Sequence, residues 1–146
     1  MNRLLCLSAT LALLCAAGCT RSGERAMRRV TIKVGGHAVL AEVAEKEEDK
    51  ERGLMFRDTM GEDEGMIFVY DRPQTLYFYM KNTRIPLSIA FIDSNGVILR
   101  IADMQPHDLR THSSVMPAQY ALEMNQGWFA KKGIEPGAKV EWPNGL

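Results

Sequence analysis

Between Val30 and Trp142 the chain runs through a succession of short β-forming segments, and that succession leaves few folds open. The segments "VTIKV", "HAVLAEV", "GMIFVY", "TLYFYM", "LSIAFID", "VILRIAD", "AQYALEM" and "KVEW" are dense in β-branched and aromatic residues. Such residues fit a pleated, half-buried surface, and a strand sends successive side chains to opposite faces. Turn signals separate the segments. Gly35-Gly36 predicts a hairpin, and further turns are expected at Asp71-Arg72-Pro73 and Ser94-Asn95-Gly96. Two stretches break the pattern. Glu45 to Arg52 is almost wholly charged and leads into "GLMF", as in a short exposed helix whose apolar end docks. "GWFAKKGI" is bounded by glycines and reads as a single helical turn. The expected fold is mainly β: a compact antiparallel β-sandwich or barrel-like domain with one short helix and a helical turn.

The N-terminus is of a different kind. Met1-Asn2-Arg3 is short and basic. Leu4 to Ala17 is almost wholly apolar yet too short to span a bilayer, which suits the apolar region of a secretory signal. It ends in "CAAGC", where small residues at Ala16 and Gly18 favour cleavage before Cys19. That bond resembles the cleavage site of a bacterial lipoprotein, whose first mature residue is a lipid-bearing cysteine; Ala16 stands where leucine is usual. Thr20 follows, with no aspartate of the kind that retains lipoproteins at the inner membrane. The resemblance implies a lipid on Cys19 and an address at the periplasmic face of the outer membrane; the alternative is plain secretion. Residues 1–18 are then a signal peptide, 19–29 a polar and basic tether, and 30–146 a single β domain.

Of the three cysteines, Cys6 and Cys15 leave with the signal and Cys19 is blocked or terminal. The domain therefore lacks a thiol, which excludes an internal disulfide, a thiolate nucleophile and a cysteine-ligated metal. With 18 basic and 18 acidic residues the charge balances, and no nucleic-acid partner is expected. No segment reads as a phosphate-binding glycine loop or a nucleophile elbow, and no cofactor is implied.

Lys81, Asn82, Thr83 and Arg84 form a polar knot between "TLYFYM" and "LSIAFID". Pro86 forbids a ladder hydrogen bond there, so the connection belongs at a sheet edge or end. A lysine amine, an asparagine amide and a threonine hydroxyl together suit an anionic or polyhydroxylated ligand. The plainer reading is a turn in which Asn82 and Thr83 bond local backbone and Lys81 is solvated. Two acids are candidates for chemistry: Asp93, which closes a strand before a turn, and Glu123, in the apolar "YALEM". Alternation puts Glu123 on the face opposite Leu122 and Met124, in water or in a cleft. Turned inward it needs a partner, and Arg52 is the candidate for a structural ion pair. Met104, His107, His112 and Met116 share one inter-strand loop, and thioether and imidazole ligands favour copper. Set against that, methionine is an ordinary core filler.

Taken in order, "RGLMFR", "EGMIFVY", "YMKNTRIPLSIAFID" with "NGVI", "YALEMNQGWFAKKGI" and "GAKVEW" resemble the bacterial and archaeal domain of unknown function numbered 192. The resemblance runs from about Val30 to Trp142. It implies a small β-sandwich-like or barrel-like fold, often secreted or lipid-anchored, and no established activity. It also offers Arg52 and Arg57 as neighbours of the knot. Two positions depart from the family pattern: Tyr79 replaces a tryptophan before Met-Lys-Asn-Thr, and Ser88 replaces an aspartate after Pro-Leu. A carboxylate at 88 would have been a natural partner for Lys81 or Arg52. The expectation is a lipid-anchored envelope protein, a non-catalytic module that binds a small or polymeric polar or anionic ligand and holds no metal. Its site residues would be Arg52, Arg57, Lys81, Asn82, Thr83, Asp93 and Glu123. The alternatives are an enzyme acting on an envelope glycan, with Glu123 or Asp93 as its acid, and a periplasmic copper carrier.

Overall fold

The structure, a computed structural model, describes residues 26–143. Strands β1 (Arg29–Val34) and β2 (His37–Ala44) form the hairpin expected at Gly35-Gly36. Both glycines have positive φ, 54° and 87°, as the tight hairpin turn requires. Helix α1 (Glu47–Arg52) is short, carries only charged residues and buries none of them. It stops at Gly53, and Leu54 behind it is buried in the core. The segment between β2 and β3 (Glu64–Gln74) is long enough for a crossover, and β2 and β3 pair in parallel. Every other pairing in the main sheet is antiparallel. The remaining elements are β4 (Tyr77–Phe78), β5 (Leu87–Ile92), β6 (Ile98–Met104), β7 (His112–Ser113), β8 (Ala118–Asn125), α2 (Trp128–Lys131) and β9 (Val140–Glu141).

Seven strands make one sheet in the order β6-β5-β8-β3-β2-β1-β9. The sheet curls until its ends touch. Val97 bridges Lys139, the Ile98 N–H donates to the Ala138 carbonyl at 3.0 Å, and the Val140 N–H donates to the Gly96 carbonyl at 2.8 Å. Inside the curl lies the first core, to which every strand of the sheet contributes, among them Ile32, Val39, Ile67, Ile92, Ile98, Leu122 and Val140. It is plugged by Trp128, Phe129 and Ile134 from around α2. A second core lies on the outer face of the central strands, where Met66, Phe68, Ile89, Phe91 and Ala121 are covered by Leu54, Leu76, Phe78, Met80 and Ile85. The middle of the sheet is thus buried on both faces, and all six residues of β5 are buried. Packing also begins ahead of Val30: Met27 lies against the outer core, and the Val43 N–H donates to the Arg28 carbonyl.

The mainly β, barrel-like architecture is as the sequence predicts, with three local differences. The expected domain is antiparallel, whereas β2 and β3 pair in parallel because the α1-bearing crossover joins them. Asp71-Arg72-Pro73 is not a turn. β3 continues through it to Gln74, and the register against β8 shifts after Val69. "TLYFYM" does not join the main sheet. Tyr77 and Phe78 pair with Ser113 and His112 in a separate two-stranded sheet laid over the outer face. Curling of the main sheet uses up its edges, so this segment packs on the sheet's face and pairs only with β7. Phe78 meets Phe68 edge-on at 4.9 Å between ring centroids and Phe91 at 5.9 Å. Burying one such ring contributes about 1.5–3 kcal/mol, enough to hold a two-residue strand in place.

Candidate functional site

The outer face carries a cleft of about 200 Å³ between α1, its following loop, β3, β4 and β8. Glu123 lies on its floor. Leu122 and Met124 point into the curl, so the alternation of β8 turns Glu123 outward, level with Met66 on β3 and Ile89 on β5. Both neighbours are fully buried and apolar, and Glu123 itself is only 5% exposed. Burial pushes its carboxyl up to about 8, so at neutral pH the group is a protonated acid. The ion pair expected with Arg52 does not form. Burial is the only influence on the Glu123 carboxyl, which has no hydrogen bond or ion pair among the described residues. Arg52 stays exposed at the end of α1, on the cleft wall.

Above the floor the lining changes to rings and charges. Tyr70, Tyr77, Phe78 and Tyr79 contribute aromatic surface. Burial, and then the negative charges of Glu47 and Glu123, push the Tyr70 hydroxyl up to about 12. Lys50 spans this wall, its Nζ 4.7 Å from the centre of the Tyr70 ring and 3.2 Å from the Glu47 carboxylate. Lys50 and Arg52 balance Glu47 and Glu51, so the cleft carries no net charge while Glu123 keeps its proton. A protonated carboxyl both donates and accepts a hydrogen bond. In an apolar floor under aromatic walls, that suits an uncharged polar group.

Of the residues singled out by sequence, the structure brings Arg52, Thr83 and Glu123 to this cleft. Thr83 is buried, its hydroxyl donating to the Lys81 carbonyl at 3.2 Å. Lys81 and Asn82 are exposed on a turn closed by the Thr83 N–H and the Met80 carbonyl, outside the cleft lining. Asn82 has φ of 55° and accepts from the Phe56 N–H. Arg57 belongs to an adjoining cavity of about 320 Å³, where it and Arg29 bind Glu42. Burial raises the Glu42 carboxyl, but the Arg57 hydrogen bond and charge, followed by those of Arg29, outweigh it and hold the group below the usual range. Asp93 sits at the β5–β6 turn and accepts from the N–H groups of Asn95 and Val97. Met104 is fully buried, whereas His107 and Met116 are exposed, which divides the loop set considered for copper. Cys19 and the signal lie outside the described residues.

Ser88 answers a separate question. It alternates with Leu87 and Ile89 of the outer core, so position 88 faces the side of the sheet away from the Glu123 cleft. A carboxylate there could not have met Arg52. Ser88 donates instead to Asp103, its cross-strand partner on β6, and accepts from the Gly127 N–H at 2.9 Å. Sequence reasoning missed Lys50, Tyr70, Tyr77 and Tyr79. Only Tyr77 and Tyr79 had a signal: they alternate with Leu76, Phe78 and Met80, which places both on one face.

The family profile for DUF192, described as uncharacterized ACR, matches residues 30–142. The chain belongs to the DUF192 family. Two solved structures share the fold of this DUF192 domain. One, from Sinorhizobium meliloti 1021 and named only provisionally as a transcription regulator, is 32% identical with a TM-score of 0.80. The match covers 82% of this chain and 98% of that one. The other, a protein of unknown function from Novosphingobium aromaticivorans DSM 12444, is 34% identical with a TM-score of 0.77. That match covers 92% of this chain and 94% of the other. No curated protein matched.

Proposed function

We propose that this DUF192 protein is a binding module of the cell envelope that holds an uncharged, polyhydroxylated group in the Glu123 cleft. The carrying observation is the Glu123 carboxyl, buried in an apolar floor, protonated and without a protein partner among the described residues. A sugar unit of an envelope glycan offers the matching chemistry: hydroxyls and amides for the carboxyl, and apolar ring faces for Tyr77 and Tyr79. The envelope address rests on the sequence: the apolar run Leu4 to Ala17 and the "CAAGC" junction support a lipid on Cys19 at the periplasmic face of the outer membrane. The transcription-regulator name of the Sinorhizobium protein is not carried over to this chain, whose 18 basic and 18 acidic residues balance and give no sign of a nucleic-acid partner.

One observation favours a second reading, a glycan-cleaving enzyme. Glu123 has the raised pKa of a general acid, and Glu47 and Glu51 line the same cleft. Those two carboxylates sit on the solvated α1, and Glu47 is taken by Lys50, so binding is the better supported function. Calorimetric titration with a soluble N-acetylhexosamine oligomer tests it. Binding should survive Glu123→Gln, disappear in Glu123→Leu, and weaken as pH rises through about 8, where the carboxyl ionises. Affinity that rises above that pH would contradict the reading, and turnover of the oligomer would favour the enzyme.

A further inference from the structure

The face built by β4, β7 and the turn after β7 is apolar and uncovered within the described residues. Tyr77 on β4 and Tyr79 just after it stand outward. Leu109, Val115 and Met116 stand out from the neighbouring segments, and the five are between 46% and 70% exposed. The Met80 N–H bonds the Asp108 carbonyl, and the Ser114 N–H bonds the Leu76 carbonyl, so these segments lie side by side.

Val115 has φ of 63°, a conformation that a β-branched residue adopts only under strain. A set of hydrogen bonds holds it there. The Met116 N–H donates to the Ser114 carbonyl at 2.7 Å, and the Val115 N–H donates to Ser113 Oγ at 3.0 Å. The buried Ser114 hydroxyl donates to the Met116 carbonyl and accepts from the Leu76 N–H. The fold thus maintains a strained turn that presents an apolar tip to solvent, and strain of this kind concentrates at contact sites.

Cations flank this face, Arg100 beside the tip and Lys81 at the far end of β4. Arg100 donates to the Ser113 carbonyl, Lys81 follows β4, and Arg72 lies near the end of β3; none of the three has a carboxylate partner among the described residues. Arg110 and Arg84 are paired with Asp108 and Asp58. Asp71 is the acid beside Arg72, and Glu47 and Glu51 line the cleft. An apolar centre, tyrosines beside it and cations flanking it match the layered polarity of a lipid interface, where acyl chains, headgroups and phosphates follow one another.

We infer that this face docks on the surface of an anionic lipid bilayer, with Val115 and Met116 entering the acyl boundary and Arg72, Lys81 and Arg100 meeting headgroup phosphates. Tyr77 and Tyr79 also line the cleft, so docking brings its mouth to the headgroup layer. The inference uses no ligand in the cleft and stands apart from the glycan reading.

Hydrogen–deuterium exchange on the full chain tests it, with vesicles of equal parts phosphatidylglycerol and phosphatidylcholine. Exchange in segments 76–81 and 108–117 should slow on adding vesicles. The protection should vanish in Val115→Asn/Met116→Ser, where asparagine suits the positive φ. Vesicle affinity through this face should fall about tenfold or more in Arg72→Glu/Lys81→Glu, which keeps the tip but reverses charge. Equal protection by phosphatidylcholine alone would overturn the anionic assignment. Vesicle binding through the N-terminal residues that leaves both segments unprotected would overturn the inference, as would protection that grows with protein concentration without vesicles, which marks a second copy.

Discussion

Replacing Glu123 by glutamine should stabilise the protein at neutral pH. The carboxyl is 5% exposed, and burial raises its pKa from 4.5 to about 8. Between those values the folded chain holds a proton that the unfolded chain releases, so stability falls as pH rises. Below 4.5 both states are protonated and the contribution is fully present; above about 8 both are ionised and it is fully lost. Each pH unit in the window is worth about 1.4 kcal/mol, which makes the cost about 3 kcal/mol at pH 7 and about 5 kcal/mol across the window. Water entering the cleft to meet the ionised carboxylate lowers both figures, so they are upper bounds. Glutamine has nearly the same shape and does not titrate. Glu123→Gln should therefore match the wild type near about pH 4 and exceed it by up to about 3 kcal/mol at pH 7. Urea melts of both proteins across this range measure the difference as a shift in midpoint at constant slope. A glutamine variant that is less stable at pH 7 would mean that Glu123 is a paired anion, and the reasoning would fail.

Other perturbations have equally definite outcomes. Gly65→Ala should cost about 1–3 kcal/mol or more in a thermal melt, because a Cβ there would lie 2.5 Å from both the Glu123 carbonyl oxygen and Met124 Sδ. Asn82→Ala should cost about 1 kcal/mol and Asn82→Gly much less, because φ at Asn82 is 55°; equal effects would mean that the turn relaxes. Arg57→Ala should cost about 1–3 kcal/mol at neutral pH by leaving Glu42 to Arg29 alone. Since Glu42 titrates below its ordinary 4.5, that contribution is present above 4.5 and should be lost as pH falls through its folded value. Cys19→Ser should move the protein from the detergent to the aqueous phase and remove the lipid mass from the intact chain; a wild-type protein already unmodified and water-soluble removes the anchor.

Local chemistry made much of the fold readable in advance. Gly35-Gly36 can turn tightly with both φ positive, so its hairpin follows from two residues. The side on which Glu123 lies follows from the alternation around Leu122 and Met124. Distances across the fold were not readable. Lys81, Asn82 and Thr83 are neighbours in sequence, yet a tight turn buries Thr83 at the cleft and leaves the other two outside. Arg52 and Glu123 reach the same cleft, but no pattern in sequence says whether a long exposed guanidinium descends to a buried floor. The side of the sheet faced by Ser88 was open to the same alternation argument, given its neighbours Leu87 and Ile89. Pro73 invites a turn, and only the pairing of Gln74 with Ala118 shows that β3 passes through it.

The central claim is that Glu123 is an uncharged acid at neutral pH, and a carbon-detected NMR titration of its side-chain carboxyl reads that charge directly. The folded protein should show a midpoint near about 8 for Glu123. A midpoint at or below the ordinary 4.5 would show a charged group on the cleft floor and would contradict the proposed function together with the stability argument.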